Sequence, residues 1–180
     1  KAFGINRPLV MNASNIRMDA PGKNENKFHW HQDYTYLLGS SNSITYWIPL
    51  QDVSRDLGTI CIVPGSHRNG LKEYSVQNPE AHNKNCNLSP KDIFLKDSED
   101  KLLTSSPIFL SLKFGQAVAF SQFLVHRTET HSHSQYRWTI QIRHSDAADP
   151  KFITLGGPMG DTTTILKNDL VQTEFKHEKN

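Results

Sequence analysis

With 180 residues, the chain has material for one domain with a substantial core and too little for two of ordinary size. Its 20 Lys and Arg against 18 Asp and Glu leave a formal charge of +2, and the basic residues are scattered rather than blocked, which argues against a nucleic-acid partner. No apolar run approaches the roughly 18 residues needed to cross a bilayer, so no membrane partner is expected. Cys61 in an apolar run and Cys86 in a polar one have neither zinc spacing nor the look of a disulfide framework, which fits a cytoplasmic compartment. The first residue is Lys, with no secretion-signal pattern behind it, and an N-terminal portion is expected to be lacking.

Taken in order, the predicted elements are strands. Residues 43–50 alternate, with Ile44, Tyr46, Ile48 and Leu50 on one face and Thr45, Trp47 and Pro49 on the other. The apolar run 59–63 ends in Pro64-Gly65-Ser66, where Pro presets one dihedral and Gly permits a positive φ. Residues 69–106 are polar with short apolar breaks and read as a long insertion or lid over a barrel mouth. Residues 108–112 and 117–120, joined by Phe114-Gly115-Gln116, read as a hairpin. The last clear strand, 136–144, puts Tyr136, Trp138, Ile140 and Ile142 on one face and Arg137, Thr139, Gln141 and Arg143 on the other; such a strand lines a wet cavity or lies at a surface. Many short strands with Gly and Pro turns, and no long amphipathic helix, predict a single mainly β domain over 1–180, a sandwich or barrel.

His31-Gln32-Asp33 places an imidazole and a carboxylate two residues apart, on one side of an extended chain. His126, led in by Phe123, Leu124 and Val125, supplies a second nitrogen donor. Two His and one carboxylate on one face of an octahedron leave three positions open, the arrangement non-haem Fe(II) oxygenases use. A lone His-x-Asp is weak evidence, and most instances are surface or turn residues.

Context makes it specific. Trp30-His31-Gln32-Asp33, the strand with Trp47, the segment Gly58 to Arg68, Phe114-Gly115-Gln116 and His126 followed eleven positions later by Arg137 occur in an order and spacing that resembles the phytanoyl-CoA dioxygenase-like family of Fe(II)- and 2-oxoglutarate-dependent oxygenases. The resemblance runs from about residue 10 to residue 144. It implies a double-stranded β-helix, the jelly-roll or cupin-like barrel, here with few or truncated flanking helices. It implies that His31, Asp33 and His126 hold Fe(II), that Arg137 grips the distal carboxylate of the co-substrate 2-oxoglutarate with support from Thr128, and that Trp47 stands beside it. A planar guanidinium fork suits that task. The implied reaction uses O₂, releases succinate and CO₂, and hydroxylates a small-molecule substrate; Asp33 favours hydroxylation over halogenation, since related halogenases replace that carboxylate with a small residue. The alternative is an inactive cupin-like module that binds a metal or small acid.

Gln116 stands where the family commonly has Asp, a change expected to alter a local hydrogen bond. The usual N-terminal helices and first strand are missing or shortened, which is expected to leave the face of Tyr136, Trp138, Ile140 and Ile142 partly uncovered and open to a homo-oligomeric contact. The pair His131 and His133 reads as a solvated loop, His29 and His144 as strand-end residues, and Tyr34 and Tyr36 as either pocket wall or core. His67 and Arg68 are placed to touch substrate or simply to secure the Pro-Gly turn.

Overall fold

Two antiparallel sheets face one another across an apolar interior, and the polar side chains of their inward faces are concentrated in one pocket. The computed structural model describes residues 3–23, 27–37, 39–76, 93–154 and 156–157. The larger sheet holds β1 (Pro8–Val10), β2 (Asn15–Asp19), β3 (Ile44–Pro49), β8 (Val118–Ser121) and β10 (Arg137–Asp146). Its order is β1-β10-β3-β8, and β2 also pairs with β10. The smaller sheet runs β7-β4-β9, built from β7 (Ile108–Phe109), β4 (Ile60–Ile62) and β9 (His126–Thr128). A separate two-stranded sheet pairs β5 (Tyr74–Val76) with β6 (Ile93–Leu95). Three short α-helices, α1 (Tyr34–Leu37), α2 (Glu99–Thr104) and α3 (Pro150–Thr154), and a 3-10 turn at Ser66–Asn69 complete the described elements. This mainly β, cupin-like architecture is the expected one.

The alternation in β3 and β10 decides which residues enter the pocket. Trp47 pairs with Gln141, and Thr45 with Arg143, across the β3–β10 ladder. These four point inward, while Tyr46, Ile48, Ile140 and Ile142 face out and are only partly buried. The polar face of β10 is therefore the inner one. The aliphatic outer face stays open at its edge: Ile16, Met18 and Trp138 are 67%, 47% and 42% exposed, and Met18 pairs with Trp138.

Between the sheets, Trp47, Val53, Leu57, Ile60, Phe120 and Leu124 form the main core. Behind the smaller sheet a second cluster joins Cys61, Val63, Val125 and Trp30 to Leu102 of α2. Ser98 caps α2, its side chain accepting from the Lys101 N–H, and Asp97 receives both Lys72 and Lys101. Part of the polar stretch 69–106 is thus ordered structure packed on the outside of the barrel, and its centre, residues 77–92 with Cys86, lies outside the described residues.

The expected hairpin over 108–120 is not formed. Residues 113–116 do turn, with Gln116 N–H donating to the Lys113 carbonyl. The two arms then separate: β7 pairs with β4 in the smaller sheet and β8 with β3 in the larger. Gln116 Oε1 accepts from the Lys113 N–H and Asp52 takes the Phe114 N–H, so the turn satisfies its donors without the usual Asp. His131 also departs from expectation. Backbone bonds from Glu129 to Thr59 and from Ser132 and His133 to Asp56 draw the segment against 56–59, which buries His131 and leaves His133 half-buried.

Candidate metal centre

His31 and His126, far apart in sequence, are brought together by the backbone itself. They form an antiparallel bridge in which His31 N–H donates to the His126 carbonyl at 2.9 Å and His126 N–H to the His31 carbonyl at 3.0 Å. Directly opposed residues present their side chains to the same face, and the two rings lie 4.2 Å apart between centroids. Asp33 follows at the start of α1, where its carbonyl accepts from the Leu37 N–H. Gln32, between them, projects the other way: its amide donates to the carbonyls of Gly70 and Phe123 and accepts from the Lys72 N–H. With every polar atom of that buried amide engaged, the loop carrying His31 and Asp33 is tied to its surroundings on the side away from the pocket.

The three side chains offer ligand atoms that all lie within 4.8 Å of one another, and all three residues are buried. His31 Nδ1 is 2.7 Å from the His29 carbonyl and His126 Nδ1 is 2.9 Å from the Leu124 carbonyl. A carbonyl only accepts, so each Nδ1 carries the hydrogen and each Nε2 lone pair is left for a ligand. Those Nε2 atoms stand 3.5 and 3.6 Å from a single oxygen, Asp33 Oδ1. The other oxygen, Oδ2, accepts from Thr45 Oγ1 at 2.7 Å and from Arg143 Nε at 3.3 Å. Three donors therefore converge on one point with the hydrogens turned away from it.

Electrostatics agree with the geometry. Burial pushes the Asp33 carboxyl up, but Arg143 and the two imidazoles outweigh it and hold the group well below the usual carboxylate range. Burial, with His31 beside it, brings His126 down to about 3. A deprotonated carboxylate beside a neutral imidazole is what a cation requires of its ligands.

The trio opens onto a pocket that encloses about 330 Å³ together with the solvent at its mouth. Thr45, Trp47, Phe120, Gln141 and Arg143 of the larger sheet line it against Ile60, His126 and Thr128 of the smaller one, with Phe28 alongside. Trp47 and Thr128 are thus brought to the metal trio. Arg137 is not a wall of this pocket; it lies deeper, 2% exposed, with its guanidinium 6.0 Å from the centre of the Trp47 ring. Its Nη2 donates to Asp19 Oδ2 at 2.5 Å, and Arg17 holds the other oxygen of Asp19. Its Nε and Nη1 are buried without a hydrogen-bond partner. Two unpaired N–H groups on a buried guanidinium are costly unless an acceptor is supplied, so the residue fits a receptor for one more anion.

The earlier alternatives separate cleanly. His29 is exposed beside Phe94, and His144 sits within β10 against Tyr46. Tyr34 is buried and stacked on Phe123 at 4.4 Å, a packing role, while the side chain of Tyr36 lies outside the described ones. Ser66 secures the Pro-Gly turn by accepting from the Val125 N–H, and His67 and Arg68 are exposed. Sequence reading passed over Asp19, Thr45 and Arg143. Arg143 was findable: it shares the polar face of β10 with Arg137, six residues on.

The phytanoyl-CoA dioxygenase family model matches residues 7–139, which span β1, the trio and Arg137. The chain belongs to the phytanoyl-CoA dioxygenase family. Phytanoyl-CoA dioxygenase domain-containing protein 1 of Danio rerio is 30% identical over 125 residues, 64% of this chain and 39% of that protein. Among solved structures, EvdO2 from Micromonospora carbonacea var. aurantiaca in complex with 2-oxoglutarate superposes with a TM-score of 0.59 at 17% identity, covering 80% of this chain and 56% of that one. The epimerase SnoN in complex with Fe3+, alpha ketoglutarate and nogalamycin RO gives 0.57 at 18% identity, covering 78% and 51%. At such identities the structural likeness carries the fold. The chain spans well under two thirds of the length of each of these relatives. No described helix is long and apolar enough to cross a membrane.

Proposed function

We propose that this chain is the catalytic core of an Fe(II)- and 2-oxoglutarate-dependent oxygenase that hydroxylates a small organic substrate. The observation that carries the reading is the convergence of His31 Nε2, His126 Nε2 and Asp33 Oδ1 in a buried pocket, in a member of this family. Two imidazoles and a carboxylate are a donor set that suits Fe(II), and His31, His126 and Asp33 would hold it beside a 2-oxo acid co-substrate. When bound, the iron and its co-substrate would supply the oxidising power, with succinate and CO₂ as by-products.

The protein's own part is to hold and to shelter. His31 and His126, fixed by the carbonyls behind them, hold their lone pairs on one point, and Asp33 adds a single anionic oxygen. Thr128 and Trp47 line the pocket beside the trio, and Arg137, 6.0 Å from the Trp47 ring, has unpartnered N–H groups that would receive the distal carboxylate of 2-oxoglutarate. Asp19 and Arg17 give that end of the site a net charge of one positive unit once Arg137 is counted, which a carboxylate would cancel. Phe28, Ile60 and Phe120 give the pocket an apolar lining that would limit water at the reacting centre. Hydroxylation is chosen over halogenation because Asp33 occupies the position that halide needs; the fold itself also serves an epimerase, SnoN.

Anaerobic addition of Fe(II) and 2-oxoglutarate tests the reading. A weak visible charge-transfer band should appear only with both present and should be absent in Asp33→Ala. A chain that binds both yet forms no succinate with any candidate substrate is better described as a binding module.

A further inference from the structure

Arg137 and Arg143 share the inner face of β10, and their hydrogen bonding assigns them opposite tasks. Arg137 keeps two N–H groups without a partner. Arg143 uses all three of its nitrogens: Nε on Asp33 Oδ2 at 3.3 Å, Nη1 on the Ala13 carbonyl at 2.5 Å, and Nη2 on Gln141 Oε1 at 2.5 Å. A guanidinium held at both ends cannot swing to meet a substrate; it can only hold what it touches. What it touches is the carboxylate of a wholly buried Asp33, whose charge demands a partner.

Resting on the reading of the trio as metal ligands, we propose that Arg143 is a positioning residue for Asp33. Together with Thr45 it secures Oδ2, so that the carboxylate presents Oδ1 alone to the ion, and it balances the buried charge so that the trio is assembled before the ion arrives. A carboxylate free to turn could offer a cation both oxygens. That would fill one of the positions a two-histidine, one-carboxylate site leaves open. The Ala13 carbonyl and Gln141 are the abutments that keep the guanidinium aimed.

Cobalt(II) serves as the probe, because its visible bands report coordination number without any turnover. Calorimetric titration and absorption spectra of the wild-type chain, Asp33→Ala, Arg143→Gln, Arg143→Lys and Thr45→Val form one set. Loss of the residue behind a ligand typically weakens metal affinity by about 10- to 100-fold. Arg143→Gln should fall in that range with an altered spectrum, and Arg143→Lys should recover part of the affinity. Wild-type affinity and spectrum in Arg143→Gln would overturn the proposal, as would a lowered melting temperature with an unchanged cobalt spectrum, since that is the mark of a residue that only supports the fold. If Arg143→Gln shows no cooperative urea transition, Thr45→Val decides: it removes the other bond to the same oxygen and should cost roughly 3- to 10-fold with the same spectral change, and an unchanged spectrum refutes the clamp. A wild-type chain that binds cobalt no better than Asp33→Ala sinks the metal reading instead.

Discussion

Acidifying the metal-free protein forces protons onto the histidines of the unfolded chain well before His126 accepts one in the folded chain. Burial and the adjoining His31 bring this imidazole from an ordinary 6.5 down to about 3. Between those two values the unfolded state binds a proton that the native state refuses. Stability is therefore complete above about pH 6.5 and falls as pH drops, until the folded imidazole titrates near 3. Each unit of pH in that window removes about 1.4 kcal/mol. Acidification to about pH 4 costs roughly 3 to 4 kcal/mol on this account, a large share of the roughly 5 to 15 kcal/mol that holds a typical domain. His131, lowered by burial and by Arg137, tilts the wild-type profile in the same direction, so the wild-type slope alone does not isolate His126. The comparison with His126→Gln does. Urea unfolding in the presence of a chelator, followed by tryptophan fluorescence at about pH 7, 6, 5 and 4, should show the wild type losing more than the variant at each step, by about 0.7 kcal/mol from pH 7 to 6 and nearly 1.4 kcal/mol per unit below that. Parallel profiles would refute the assignment of a buried, neutral His126.

Further outcomes follow from the same contacts. Asp33→Ala should abolish metal binding and also destabilise the metal-free fold by about 3 to 5 kcal/mol, because Arg143 is left buried without its counter-charge; the check is chemical denaturation beside metal titration. Arg137→Ala should raise the 2-oxoglutarate requirement tens- to thousands-fold, the scale of roughly 2 to 5 kcal/mol for a buried charged partner, with metal affinity little changed; equal loss of both would count against its role as a carboxylate receptor. Gln32→Leu removes the amide that ties the His31 loop to Gly70, Lys72 and Phe123, and should cost about 1 to 3 kcal/mol with faster hydrogen exchange at Lys72. Gly58→Ala should be destabilising and should weaken 2-oxoglutarate binding, since Gly58 has φ +75° and an added Cβ would stand 3.0 Å from Arg137 Nη1; a spectroscopic titration of 2-oxoglutarate would show it.

The strands with the strongest alternation were the most legible. β3, β4 and β10 fall where 43–50, 59–63 and 136–144 place them, because a half-buried strand writes its period into the sequence. Alternation identifies a face and not a neighbour, and so the arms of the 108–120 turn, adjacent in sequence, went to opposite sheets. The candidate trio was legible through its context: His-x-Asp alone is weak evidence, and the order and spacing of Trp30 to Asp33, Trp47, Gly58 to Arg68, His126 and Arg137 made it specific. The residues around it were not: Thr45, bonded to Asp33, looks like any strand threonine, and Asp19 gains meaning only when β2 sets it directly across from Arg137. Arg143 was readable as an inward residue, but its hold on Asp33 depends on the β3–β10 register, which no local pattern encodes.

The central claim is that one ferrous ion is held by three particular atoms. Crystals grown anaerobically with Fe(II) and measured on both sides of the iron absorption edge test it directly. The account predicts a single anomalous peak about 2 Å from His31 Nε2, His126 Nε2 and Asp33 Oδ1, with Asp33 Oδ2 still bonded to Thr45 and Arg143. A peak elsewhere, or no peak between these side chains at full iron loading, contradicts it.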